Sequence, residues 1–173
     1  MILDADVFAR DAVEPDTAAF EAVVRRFGSS VLAPDGGLDR AKLASVVFGD
    51  PASLRDLEAL VHPEVHRMTS DGIAARSGTD EVVVLVNPLL VEMGDHERCD
   101  VLVVVDASPE TRIARLVARG MDEADARARL AVQMPLEEKT AIADIVLDNE
   151  GSLGELERQV EERWPELAEG ARA

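Results

Sequence analysis

The chain is short of several things, and each shortage removes a class of explanation. It has one cysteine, Cys99, in 173 residues, so no internal disulfide framework is available and a reducing, cytoplasmic setting is expected. No apolar run approaches the ~18 to 20 residues that a membrane-spanning helix needs. The opening residues are acidic, and Arg10 and Asp11 interrupt the stretch from Val7 to Val13, which is wrong for a secretory signal. Positive charge is scarce: 18 Lys+Arg stand against 35 Asp+Glu, a formal charge of -17. That balance argues against general binding to nucleic acid or to an anionic membrane surface. The cations are arginines except for Lys42 and Lys139, and a local arginine cluster can still hold an anionic ligand. The three histidines, His62, His66 and His96, show no metal-ligand spacing, so no metal site is expected from them. There is no internal repeat, no low-complexity linker and no G-x-x-x-x-G-K-[ST] phosphate loop in these residues.

Apolar residues make up 47%, an ordinary globular share, and the length suits one domain with a sizeable core rather than two. Met1 to Leu3 reads as a short strand end running into Asp4. Thr17 is a candidate N-cap for a helix carrying Phe20, Val23, Val24 and Phe27, stopped by Gly28. Pro34 to Gly37 is a turn by composition. Asp39 is expected to cap a helix burying Leu43, Val46 and Val47. Asp50-Pro51 reads as N-cap and N1 of a helix with Leu54, Leu57, Leu60 and Val61 on its apolar side, and Pro63 as the point where that helix kinks or restarts. The pattern changes at Val82. The β-branched runs 82–86 and 101–105 predict strands covered on both faces in a parallel sheet. Ser108-Pro109-Glu110 starts a helix through Leu116, residues 119–140 are helical, and Ile145 to Leu147 is a last strand. Ser152 and Glu155 form a capping box, followed by Leu153, Leu156, Val160 and Trp164 on one face before Pro165. Strands alternating with helices predict a three-layer α/β domain.

Several collinear patterns carry a family resemblance. Ile2 to Arg10 contains Asp4-Ala5-Asp6 with Ala9-Arg10, which resembles the D-[AG]-D-x-x-A-R acceptor-site motif of dephospho-coenzyme A kinases. Glu14-Pro15 with Thr17, Asp39-Arg40 with Leu43, Val61-His62-Pro63 and Pro88-Leu89-Leu90 with Glu92 follow in order. So do Arg112 to Arg119, Arg129 with Gln133, and Ala143-Asp144 through Asn149 and Gly151. Those enzymes move the γ-phosphate of ATP to the ribose 3′-hydroxyl of dephospho-coenzyme A, with Mg²⁺. The resemblance implies a P-loop-kinase-like α/β core from 1–6, 76–118 and 141–166, a helical acceptor-binding region from 7–75 and a lid from 119–140. Homo-oligomerisation is left open.

By this resemblance Asp6 takes the proton of the attacking hydroxyl, and Arg10, His62 and Leu89 belong to acceptor binding. Arg115 contacts ATP phosphates, Arg129 and Gln133 share a face of the lid, and Asn149 and Gly151 border the adenine. The residue types also suit plainer tasks. Asp6 could cap the helix that follows it or pair with Arg10, itself suited to solvated surface. His62 could pack at a helix restart. Arg112, Arg115 and Arg119 share one side of a helix and could serve ordinary salt bridges. Asn149 and Gly151 suit a strand-to-helix turn.

In that family a strand and a phosphate loop come immediately before the acceptor motif, where this chain has Met1. The resemblance therefore implies severely impaired or abolished transfer and a sheet missing its first central strand. Strands 82–86 and 101–105 would then face unpaired edges, pair directly with each other, or take a strand from a partner, with poor solubility if left open. Three further positions depart from the family's usual pattern: Val86 where an aspartate is usual, Lys139 where an arginine is usual, and Asp16 in place of a glycine. Val86 and Lys139 favour an alternative, a non-catalytic remnant that binds a coenzyme A-like or nucleotide ligand or a protein partner. A kinase for another nucleoside or small alcohol is a third reading, which Asp4-Ala5-Asp6 and His62-Pro63 oppose.

Overall fold

The computed structural model describes residues 1–47, 50–131 and 133–171. Among them are four strands and eight α-helices, arranged as two compact units, Met1–Asn87 and Pro88–Ala173.

In the first unit, β1 (Ile2–Asp4) runs parallel to β2 (Val84–Val86), with Leu3 opposite Leu85. The ladder is short for a local reason. The Asp4 side chain accepts the N–H groups of Asp6 and Val7, so the chain leaves the strand and becomes α1 (Ala5–Asp11). The run 82–86 is laddered only over the three residues that β1 can face. Thr17 caps α2 (Ala18–Phe27) through the Phe20 N–H, and Gly28, at φ 81°, ends it in a backbone region that side chains disfavour. The Pro34 to Gly37 turn closes a single antiparallel bridge between Leu32 and Leu38. Asp39 accepts the Lys42 N–H and starts α3 (Arg40–Val47).

Leu43 and Val47 of α3 are buried as expected, but Val46 is exposed, because it lies off the Leu43–Val47 face. Together with Val13, Ala19, Val23 and Val31 they form a helical core, closed by Leu54, Leu57, Leu60 and Val61. Those four lie on α4 (Pro51–Ala74), capped by the Asp50 side chain at its start. The expected restart at Pro63 does not occur: α4 continues through it. Proline removes one intrahelical N–H and crowds the preceding turn. Apolar packing before it and buried Thr69 beyond it hold both halves in one helix. Gly72 permits a close approach of α4 to β1, since a Cβ there would stand 2.8 Å from Leu3 Cδ2.

In the second unit, β3 (Val103–Asp106) is parallel to β4 (Ile145–Asp148), with Val104 opposite Val146. The expected strand start at Val101 moves inward because the Asp144 carboxylate takes the Leu102 N–H at 2.7 Å. Among the described residues, 82–86 is thus laddered to β1 and 101–105 to β4. The runs are not covered on both faces. Val84, Val86, Val105 and Val146 are 39%, 44%, 49% and 42% exposed, because a two-stranded ladder cannot enclose its own faces. Ser108 caps α5 (Pro109–Ala118). α6 (Glu123–Ala131) packs on α5 and α7 (Leu136–Thr140) on β3. Ser152 and Glu155 close the capping box of α8, which continues past Pro165 as Leu153–Gly170 and presents Leu153, Val160 and Trp164 to solvent. No helix among the described residues is long and apolar enough to cross a membrane.

Candidate functional site

The acceptor-type residues of the first unit are organised by α1. Asp4, not Asp6, is the cap: its Oδ1 accepts the N–H of Asp6 at 2.8 Å and of Val7 at 3.3 Å. Asp6 stands exposed on the first helical turn. Among the described residues no hydrogen bond or ion pair engages its carboxylate, and none joins it to Arg10. Arg10 is exposed in the last turn of α1, and its carbonyl accepts from Arg40 at 3.5 Å. α1 packs against α4, the helix that carries half-buried His62 at its middle. A helix-restart role for His62 falls with the restart. Asp16, at φ 72°, adopts a backbone conformation suited to glycine, so this turn is retained with an aspartate in it, at some cost in strain.

In the second unit, Arg115 is joined to the loop after β4. Its guanidinium donates to the carbonyls of Asn149 at 2.6 Å and Gly151 at 3.0 Å. Three expected residues are thereby brought together, though by backbone hydrogen bonds that order the loop. Glu150, which no motif had singled out, ties the same loop to the start of α5. It accepts the Ser108 N–H and the Thr111 hydroxyl, the latter at 2.6 Å. The Thr111 hydroxyl first, and the Ser108 N–H next, hold the Glu150 carboxyl below its ordinary range. A side chain at Gly151 would collide with the Glu155 carboxylate that closes the α8 capping box.

Arg129 lies exposed on α6, while Gln133 falls beyond the end of that helix and accepts from Arg112 at 2.7 Å. The expected shared face of Arg129 and Gln133 is therefore broken by the helix end at Ala131. A cleft of about 480 Å³ opens beside α5, lined by Asp106, Ser108, Arg112, Arg127, Gln133 and Thr140.

Leu89 is 36% exposed in a succession of turns closed by the Met93 N–H to the Leu89 carbonyl at 3.0 Å. Lys139 is 9% exposed and holds Glu92 at 2.6 Å and the Pro88 carbonyl at 3.0 Å. Its point charge is thus used internally, in a buried site. Burial pushes the Glu92 carboxyl up, but Lys139 and the Met134 N–H more than offset it, and the group lies below its usual range. Burial, then Asp100 and Asp95, raise the Cys99 thiol, which makes it a poor nucleophile. No three His, Cys, Asp or Glu side chains among the described residues gather closely enough to hold a metal ion.

Against known proteins, the sequence matches the family described as CoaE, dephospho-CoA kinase, over residues 1–155. It is 50% identical to a dephospho-CoA kinase of Streptomyces avermitilis over 172 residues, 99% of this chain and 83% of that protein. A dephospho-CoA kinase of Thermobifida fusca is 44% identical over 169 residues, 96% of this chain and 84% of that one. The crystal structure of TT1252 from Thermus thermophilus is similar at a TM-score of 0.76 and 38% identity, over 96% of this chain and 84% of that one. A dephospho-CoA kinase from Campylobacter jejuni shares the fold at a TM-score of 0.68 and 20% identity, over 98% and 85% of the two chains.

Proposed function

We propose, for a chain that belongs to the dephospho-CoA kinase family, that residues 1–173 bind dephospho-CoA and present its ribose 3′-hydroxyl to Asp6. The observation that carries this reading is the division of labour in Asp4-Ala5-Asp6. Asp4 is consumed by capping α1, while Asp6 is exposed at the same helix end with its carboxylate unengaged. A carboxylate so placed can accept the hydroxyl proton as the oxygen attacks the terminal phosphorus of ATP. Arg10 supplies a cation on the same helix, and His62 and Leu89 contribute acceptor contacts. On the donor side, Arg115 orders the loop at Asn149 and Gly151 on which the adenine would rest, and Arg129 approaches the phosphates from α6.

Within these 173 residues no glycine-rich loop offers its row of backbone N–H groups to a triphosphate. Losing even one such donor typically lowers a rate by roughly 10² to 10³. We therefore expect this polypeptide by itself to bind the acceptor and to transfer phosphate poorly or not at all. No step is assigned to Mg²⁺, which such sites hold chiefly through substrate phosphates, water and one or two carboxylates. A second reading, ligand binding with no transfer at all, is favoured by Arg115 and Lys139, both engaged internally.

Calorimetry with dephospho-CoA and with ATP, beside an ATP-dependent transfer assay, tests both. Dephospho-CoA should bind, Asp6→Asn should retain that binding, and turnover should be weak or absent. Failure to bind dephospho-CoA overturns the acceptor reading. Robust turnover by purified 1–173, abolished by Asp6→Asn, overturns the expected impairment.

A further inference from the structure

Glu92 stands where three ties converge. Its Oε1 accepts the Met134 N–H at 3.1 Å and lies 2.6 Å from the Lys139 ammonium, which also donates to the Pro88 carbonyl at 3.0 Å. The Lys139 and Glu92 side chains are 11% and 20% exposed, whereas an ordinary surface pair such as Arg127–Glu123 is 61% exposed on both sides. We infer that Glu92 is a positioning residue, which with Lys139 fixes α7 and the turn 88–92 as one piece.

The argument starts from α7 itself. Five residues are far too few for a helix to hold its own geometry. Pro135 precedes it and supplies no side-chain cap. Its position must be imposed from outside, and one carboxylate does so at both ends: Met134 leads into α7 and Lys139 lies in its last turn. Arg112 adds a tie to Gln133 from α5. The region 119–140 is therefore not a single movable piece, because α7 is anchored to the turn carrying Leu89. Contact of a ligand with that turn is transmitted to α7 through a desolvated charge pair. Glu92 Oε2 has no hydrogen-bond partner, so an arginine at 139 has a spare N–H to offer it.

The coupling stands on this geometry alone; its meaning for acceptor binding rests on the role proposed above for Leu89. Hydrogen exchange on the whole chain, comparing wild type with Glu92→Gln, Lys139→Met, both together, and Lys139→Arg, tests it. Each single variant should speed amide exchange across 134–141 and 89–94 by about tenfold or more, leaving β3 and β4 nearly unchanged. The double variant, which buries no lone charge, should exchange no faster than the worse single, and Lys139→Arg should keep wild-type protection. Unchanged exchange at these amides, a double variant equal to the product of the singles, or a uniform rise including β3 and β4 overturns the inference. Should a single variant fail to fold, recovery of folding in the double supports it and no recovery overturns it. If wild type and variants show this pattern but dephospho-CoA protects no amide in 88–94, the acceptor reading fails and the positioning role stands.

Discussion

Replacing Gly72 by alanine sets two effects of similar size against each other. Gly72 lies inside α4, where alanine is favoured over glycine by about 1 kcal/mol. The new Cβ, however, would stand 2.8 Å from Leu3 Cδ2, 3.0 Å from Cδ1 and 3.5 Å from Cγ. Ordinary carbon contacts lie near 3.5 to 4.0 Å, roughly the optimum of the dispersion well. The whole end of the leucine is in the way, and Leu3 is only 5% exposed on a short strand. It cannot swing aside without disturbing β1, and overpacking of this kind costs about 1–3 kcal/mol. The collision should win, leaving Gly72→Ala destabilised by about 1 kcal/mol, a fall in Tm of about 2–4 °C for a chain of this size. In a Leu3→Val background the methyls retract, and the same substitution should become stabilising by about 0.5 kcal/mol as helix propensity dominates. Thermal unfolding of the four proteins of this cycle, followed by circular dichroism, supplies the comparison. A Gly72→Ala protein more stable than wild type, or an effect of the same sign in both backgrounds, would refute the account of how α4 seats the strand that carries Asp4.

Other substitutions probe single links. Asp4→Ala should cost about 1 kcal/mol, because it deprives two α1 N–H groups of their acceptor, whereas Asp6→Asn should change stability by less than about 0.5 kcal/mol; urea unfolding of both separates the structural aspartate from the one proposed as proton acceptor. Asp16→Gly should raise the urea midpoint, worth about 0.5 kcal/mol, since relief of the positive-φ strain outweighs the added freedom of the unfolded glycine; a lower midpoint would refute it. Glu150 has its folded pKa depressed, so its stabilisation is present above the unfolded pKa of about 4.3 and lost as pH falls through the lower folded value. Tm measured from about pH 6 to about pH 3 should therefore fall less steeply for Glu150→Gln than for wild type; parallel curves would show that the Thr111 and Ser108 contacts do not act in solution.

The features legible in the chain were those whose physics is completed within a few residues. Thr17, Asp39, Asp50 and the Ser152–Glu155 box each cap the helix they were expected to cap, and a helix starts at Ser108-Pro109 as expected. A side chain meeting an N–H two or three positions on needs no distant partner. Membership of the family was equally legible, through motifs such as Asp4-Ala5-Asp6. Even within that motif, choosing between Asp4 and Asp6 as the cap required the backbone path out of β1, which is set by pairing with β2 more than 70 residues away.

What lay beyond sequence reading involved distant partners or competition between terms. Pro63 opposed a helix break to the burial on either side of it, and burial prevailed. The valine runs overstated the strands, because a ladder extends only as far as its neighbour does. Lys139 looked like a weakened copy of an arginine, yet it is a buried structural charge joined to groups 47 and 51 positions away in the chain, Glu92 and Pro88. Arg115 donates to two carbonyls of the loop after β4, a contact with groups 34 and 36 positions away that no local pattern announces. Composition, caps and motif order thus determined the helix starts, the class and the family. Tertiary structure decided which carboxylate is left unengaged, where each strand stops and which charge goes inside, since those depend on who the neighbours are after folding.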